Sequence, residues 1–349
     1  MINNSFFSTV IIRWFRENGR DLSWRETRDP YAIWLSEIIL QQTRIAQGWE
    51  YWERFMQTYP KVEDLAAASE DDVLKLWQGL GYYSRARNLH TAAKQIVALG
   101  AFPNTLEGIK SLKGVGDYTA AAIGSFAFDI PAAVVDGNVY RVLSRYFGID
   151  TPINSTQGKK EFAALAQSLL PASDAASYNQ GMMDFGAIQC TPQSPKCLLC
   201  PLAETCEALR CGRVEELPVK NKTVKVKTRH LSYIYIRCKS SAADGAGNSE
   251  PMVAIHRRGE GDIWQGLWEP YNVSDVKELP SFVKNPILLA KDVKHVLTHR
   301  ILLADFYLLE TESRPPLPDD YIWIKESEIE DYGVPRLIEI MLEKINPAE

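Results

Sequence analysis

Two carboxylates stand where acid–base chemistry is possible. Glu37 lies in Trp34-Leu35-Ser36-Glu37-Ile38-Ile39-Leu40-Gln41-Gln42-Thr43. If it turns inward among those apolar neighbours, lost hydration raises its pKa. It can then hold a proton near neutral pH and act as a general acid. If it turns outward, it is an ordinary carboxylate on an amphipathic helix. Asp136 lies in Val134-Val135-Asp136-Gly137-Asn138-Val139, where a helical pattern opens. There Asp serves as an N-cap. The same carboxylate, oriented by Asn138, can also face a developing positive charge, and the two roles are compatible. One protonated and one ionised carboxylate is the pair that cleaves a glycosidic bond through an oxocarbenium-like state. If Glu37 is the inward one, an apolar helix keeps it neutral while a better-solvated Asp136 stays ionised.

Cys190, Cys197, Cys200 and Cys206 form C-x6-C-x2-C-x5-C within 17 residues, among Pro192, Pro195 and Pro201. In a chain expected to be cytoplasmic, so tight a set suits a metal better than disulfides. Four thiolates suit structural zinc and equally a cubane iron–sulfur cluster, and the spacing leaves both open. Cys211 and Cys238 read as small buried apolar residues. Leu112-Lys113-Gly114-Val115-Gly116-Asp117 sits between two helical patterns. Gly114 and Gly116 permit a tight turn, and amides at a helix start near Asp117 can bind a phosphate oxygen, with Lys113 adding a cation. The same pattern also makes a plain helix-to-helix turn.

The elements that must position these residues divide the chain. Apolar residues recur at three- and four-residue intervals through 31–57, 72–79, 86–99, 116–128, 138–147, 159–170 and 174–189, which predicts an all-α part over 1–212. Residues 213–229 read as a basic linker carrying Lys220, Lys222, Lys225, Lys227 and Arg229. From 230 to 349 an α+β domain is expected: strands at His230–Arg237, Met252–His256 and Ile301–Leu309, a mobile small-residue loop at Ser240–Glu250, and a helix near Pro335–Glu343.

The 349 residues carry a net charge of −5, with 46% hydrophobic and 24% charged residues. That excludes wholesale disorder and polyanion binding by bulk charge. Residues 1–212 hold 20 basic and 22 acidic residues, 213–229 hold six and two, and 230–349 hold 13 and 20. Nucleic acid would therefore be held by local patches and backbone amides. No apolar run is long enough to span a membrane, and Met1–Phe15 lacks the features of a signal peptide. The expected compartment is the cytoplasm.

Collected in order, these residues resemble the helix-hairpin-helix DNA glycosylases with an iron–sulfur loop, the endonuclease III group, and within it the MutY-type adenine glycosylases. The matching pieces are Leu22-Ser23-Trp24-Arg25, Trp34 to Thr43, Gly79-Leu80-Gly81-Tyr82-Tyr83-Ser84-Arg85-Ala86-Arg87-Asn88, the hairpin, Val135 to Val139, Gln180 to Gly186 and the four cysteines. They cover most of residues 20–206. The resemblance implies an all-α helix-hairpin-helix glycosylase domain with a [4Fe–4S] cluster on the four cysteines, followed by a C-terminal α+β Nudix-like domain. It implies removal of adenine mispaired with 8-oxoguanine in double-stranded DNA, by base flipping and hydrolysis, by a monomer at the nucleoid.

On that resemblance Glu37 protonates N7 of the flipped adenine. Asp136 stabilises or captures the sugar cation, supported by Tyr118 and Asn138. Trp24, Arg25, Gln180 and Met183 line the adenine pocket. Gln42, with Thr43 beside it, and Tyr82 wedge into the duplex near the orphaned base. Lys113, Gly114 and Gly116 take a phosphate. Tyr118 stands where backbone-cutting relatives carry lysine, and a phenol forms no Schiff base, so no efficient lyase step is expected. Residues 229–349 lack the Nudix hydrolase pattern. The lesion-reading loop, usually Phe-Ser-His, is here Leu297-Thr298-His299: Thr298 keeps the hydroxyl and Leu297 lacks the aromatic surface. Ser23 and Lys113 stand where the family commonly has proline. The rivals are a thymine–guanine mismatch glycosylase of the same fold and a non-catalytic iron–sulfur DNA-binding protein. Gln41-Gln42-Thr43 and the C-terminal domain argue against the first, the two carboxylates against the second.

Overall fold

The computed structural model describes residues 4–221, 226–239, 250–274 and 279–346. By its internal contacts the chain forms two units, residues 1–67 with 91–222 and residues 68–90 with 223–349. The helices run α1 (Asn4–Asn18), α2 (Pro30–Ile39), α3 (Ile45–Thr58), α4 (Val62–Ala67), α5 (Glu70–Leu76), α6 (Ser84–Leu99), α7 (Leu106–Lys110), α8 (Asp117–Phe128), α9 (Gly137–Phe147), α10 (Thr156–Leu169), α11 (Ala175–Asp184) and α12 (Glu207–Arg210). Among the described residues no helix is long and apolar enough to cross a membrane.

In the first unit α2 is the central element. Pro30 starts it and the Asp29 carboxylate caps it by accepting from Tyr31 N, the pairing that satisfies a helix start. Every residue from Tyr31 to Ile39 is buried, Glu37 included. A helix apolar on all faces has no solvent side on which to place a carboxylate. It packs on α8 and α3. α1 packs on α10 and α11 over a core containing Phe7, Ile11, Leu143, Phe162 and Phe185.

The apolar pattern expected to be continuous over 31–57 is two helices. α2 ends at Leu40, and the turn to α3 holds Gln42 at φ +58°, a left-handed conformation that no α-helix contains. The stretch read as linker is packed as far as it is described: Leu217 is buried, Arg145 Nε donates to its carbonyl at 3.0 Å, and Ile153 N donates to Val219 O at 3.0 Å. The expected mobile loop at 240–250 lies outside the described residues except for Glu250.

The second unit contains a mixed sheet of β1 (Lys227–Cys238), β2 (Met252–Arg257), β3 (Trp268–Glu269), β4 (Tyr271–Ser274), β5 (Ile287–Val296), β6 (Arg300–Thr311) and β7 (Tyr321–Lys325). Its order is β3-β2-β1-β6-β5, with β4 also on β1 and β7 on β2. β1 and β6 run parallel and the other pairs antiparallel. Helix α13 (Arg336–Ile345) covers one face, burying Leu337, Ile338 and Met341 against Tyr233, Val253 and Phe306. Sequence reading missed β5, whose alternation is broken by two register shifts, between Leu288 and Ala290 and between Ala290 and Val293.

Candidate active site

Glu37, Asp136, Tyr118, Asn138, Trp24, Arg25, Gln42, Thr43, Gln180 and Met183 line one cavity of about 1000 Å³ in the first unit. Glu37 projects from the last turn of α2 and is 7% exposed. Burial pushes its carboxyl up to about 7, against the Tyr118 hydrogen bond and the Arg25 guanidinium, which both pull it down; nearby Asp136 adds to the rise. Tyr118 Oη donates to Glu37 Oε2 at 3.0 Å. Burial, then the two carboxylates, keep that phenol protonated.

Asp136 caps α9: Val139 N donates to Oδ1 and Asn138 Nδ2 to Oδ2, both at 2.7 Å. Asp136 is half-buried, more exposed than Glu37. Burial raises its pKa, and the donors Val139 N and Asn138 oppose the rise, with Arg141 assisting. These protein donors favour its ionised form. One correction concerns Tyr118, expected to support Asp136 and found donating to Glu37. Only Asn138 of the two expected partners holds Asp136.

Trp24 sits in a single helical turn, Ser23–Arg25, buried against Trp49 and Trp52 at ring separations of 5.5 and 6.0 Å. Arg25 is held by Asp184, which takes its two terminal nitrogens at 2.9 and 2.8 Å and also binds Arg20 N and Nε. Asp184 is fully buried. Burial alone would raise it, but Arg25 and Arg20 hold it below the usual carboxylate range. Sequence reading missed this residue although it falls within Gln180–Gly186. It also missed Arg141, whose Nε donates to Cys190 O at 2.8 Å while its Nη2 donates to Asn138 Oδ1 at 2.8 Å and Gly186 O at 2.6 Å.

Other expected residues lie elsewhere. Gly114, at φ +78°, turns the hairpin, and Gly116 opens α8 without a side-chain cap. Lys113 is exposed, its amide held by Gln95 Oε1 at 2.7 Å. Tyr82, Thr298 and His299 line a cavity of about 660 Å³ within the second unit.

Cys190, Cys197, Cys200 and Cys206 line a third, small gap of about 30 Å³ with Arg145. Among the described residues no group of three or more His, Cys, Asp or Glu side chains is placed to hold a metal ion. All four cysteines line this one gap, as a single shared metal or cluster requires of its ligands. Burial pushes the Cys200 thiol up to about 11 and raises Cys197 and Cys206. A bound cluster supplies the positive charge that converts such thiols to thiolates.

Three family models match: HhH-GPD superfamily base excision DNA repair protein over residues 35–171, the iron–sulfur binding domain of endonuclease III over 190–206, and a NUDIX domain over 247–344. The adenine DNA glycosylase of Buchnera aphidicola from Schizaphis graminum is 30% identical over 97% of this chain and 98% of its own length. The chain belongs to the adenine DNA glycosylase family. The Homo sapiens adenine DNA glycosylase is 42% identical over 60% of this chain and 41% of its own length. Among solved structures, a thermostable thymine-DNA glycosylase matches with a TM-score of 0.56 and 33% identity, over 60% of this chain and 97% of its own. A trapped endonuclease III–DNA covalent intermediate matches with a TM-score of 0.52 and 22% identity, over 61% and 99%, and shares the fold. This adenine DNA glycosylase family member is a base-excision repair hydrolase of N-glycosyl bonds that carries a [4Fe–4S] cluster.

Proposed function

We propose that this enzyme removes adenine mispaired with 8-oxoguanine from double-stranded DNA, by flipping adenine into the α2–α8–α9 cavity and hydrolysing its glycosidic bond. The observation that carries this is Glu37, buried on α2 with a pKa pushed to about 7, in the same cavity as a hydrogen-bonded Asp136. The first can be protonated at neutral pH and gives its proton to adenine N7. The second, ionised, faces the sugar as positive charge develops. Extrusion costs a few kcal/mol, which Gln42 and Tyr82 offset by filling the stack. Their left-handed backbones, at φ +58° and +48°, hold each side chain out at a turn.

Trp24, Arg25, Gln180 and Met183 wall the adenine. The hairpin amides of Gly114 and Gly116, with Lys113, take a backbone phosphate. The four cysteines hold the cluster. On this reading the enzyme acts as a monomer on DNA at the nucleoid, in the cytoplasm. The likeness to a thymine-DNA glycosylase involves the helical part; Thr298 in the Nudix-like unit, which would read the base opposite, favours adenine opposite 8-oxoguanine.

Single-turnover excision on duplexes with adenine opposite 8-oxoguanine, guanine or thymine tests this. Excision should be fastest with 8-oxoguanine. Intact strands in all three while the duplex stays bound would remove the catalytic reading.

A further inference from the structure

We infer that Trp264 is a specificity-determining residue, stacking its indole on the base opposite the excised adenine. This rests on the reading above and concerns the cavity of the second unit. Trp264 lines that cavity together with Tyr82, Leu297, Thr298 and His299. Its backbone stands at φ +60°, which a bulky aromatic rarely takes and which clusters at functional sites. The turn holds it there from both sides. Leu267 N donates to Trp264 O at 3.0 Å, Gly266 N to Arg258 O at 2.9 Å, and Arg258 Nε to Ile263 O at 2.9 Å. The indole is braced by His295, with ring centres 5.9 Å apart, and by the Arg258 guanidinium 5.8 Å from its centre.

The facing wall is polar. Tyr82 Oη and Thr298 Oγ1 share a hydrogen bond of 2.5 Å, and Leu297 N donates to Arg300 O at 2.8 Å to close the β5–β6 turn. Asp262 joins the two walls: it accepts from Arg300 at 3.2 Å, from Arg258 at 2.8 Å and from Arg229 at 2.6 Å. An indole and two hydroxyls lining one cavity suit a planar heterocycle with a polar edge, which is a nucleobase. Leu297 cannot stack, and Trp264 adds an indole to the Tyr82 ring in the cavity that holds Thr298.

The test uses the full chain with its cluster. Trp264→Leu keeps apolar volume and removes the π-face; Trp264→Phe keeps a smaller one. The readout is the ratio of single-turnover excision rates for adenine opposite 8-oxoguanine and opposite guanine, with thermal unfolding alongside. The ratio should fall about tenfold in W264L and about two- to threefold in W264F, in line with base–aromatic stacking. An unchanged ratio in W264F and W264L, or an equal fall on both duplexes, overturns the inference. Wild-type protein that excises neither adenine overturns the underlying reading instead.

Discussion

Tyr118 Oη hydrogen-bonds Glu37 Oε2 at 3.0 Å, so the phenol serves the acid of the site rather than Asp136. A donor to a carboxylate favours its ionised form and lowers its pKa. Tyr118→Phe removes that donor, and the Glu37 pKa, about 7 in the wild type, should rise. Excision needs protonated Glu37, so the rate should fall as pH rises through that value, and the limb should move upward by up to about one unit in the variant. A pH profile of single-turnover excision checks this; a shift to lower pH would reverse the assignment.

Glu37 also sets a cost in stability. Its folded pKa lies above the unfolded value of 4.5, so the folded state binds the proton more tightly. That contribution is fully present below pH 4.5 and lost as pH rises through 7, where the ionised group is buried. Glu37→Gln should therefore abolish excision yet raise stability at pH 8, by roughly 3 kcal/mol at 1.4 kcal/mol per pKa unit. At pH 4 the gain should vanish. Denaturant unfolding at the two pH values decides it; equal stabilities at pH 8 would place Glu37 in contact with water.

Much of this site was legible because its signals are local. Asp136 announced a cap by its place before Gly137, and Val139 N does bind it. The apolar neighbours of Glu37 left it open between core and solvent, and the family resemblance turned it inward. What stayed hidden depends on residues far apart in sequence. Asp184 meets Arg25 across 159 positions, and nothing near either residue signals the other. Tyr118 has Glu37 and Asp136 in the same cavity, and only the packing of α8 on α2 decides which it bonds. The turn after α2 was masked by apolar periodicity on both sides of it, and β5 by its bulges.

The chemistry at Tyr118 predicts the product. No amine stands at that position to form a Schiff base with the sugar. Borohydride present during turnover should trap no stoichiometric protein–DNA adduct, and the strand should break only after alkali. A covalent adduct on denaturing gels would show a nucleophile that this site has not revealed.

Gln42 holds a left-handed backbone at φ +58° in an exposed turn. Such strain costs about 1–2 kcal/mol for a non-glycine residue, and glycine relieves it at an entropic cost of about 0.5–1 kcal/mol. Gln42→Gly should leave stability unchanged or up to about 1.5 kcal/mol higher. Excision should slow, because the wedge that fills the stack is gone. Thermal unfolding and single-turnover rates, read together, test the pair; a destabilised variant with normal excision would make Gln42 a structural residue.

Arg141 connects the chemistry to the cluster. One guanidinium bonds Asn138, which holds Asp136, and also the carbonyls of Cys190 and Gly186. Arg141 is only 8% exposed, so its removal leaves the buried Gly186 carbonyl and two part-buried acceptors without their donor, at about 1–3 kcal/mol each when unsatisfied. Arg141→Gln should lose about 3 kcal/mol of stability or more, at the lower end of that range for three acceptors. Asn138 then loses its anchor, the Asp136 carboxylate is less firmly oriented, and excision should fall at least tenfold while duplex binding changes little. The iron–sulfur absorbance should bleach faster under oxidant, since Cys190 is no longer pinned through its carbonyl. Unfolding temperature, single-turnover rate and bleaching rate should move together; a variant that loses cluster stability but excises at the wild-type rate would separate the two ends of this side chain.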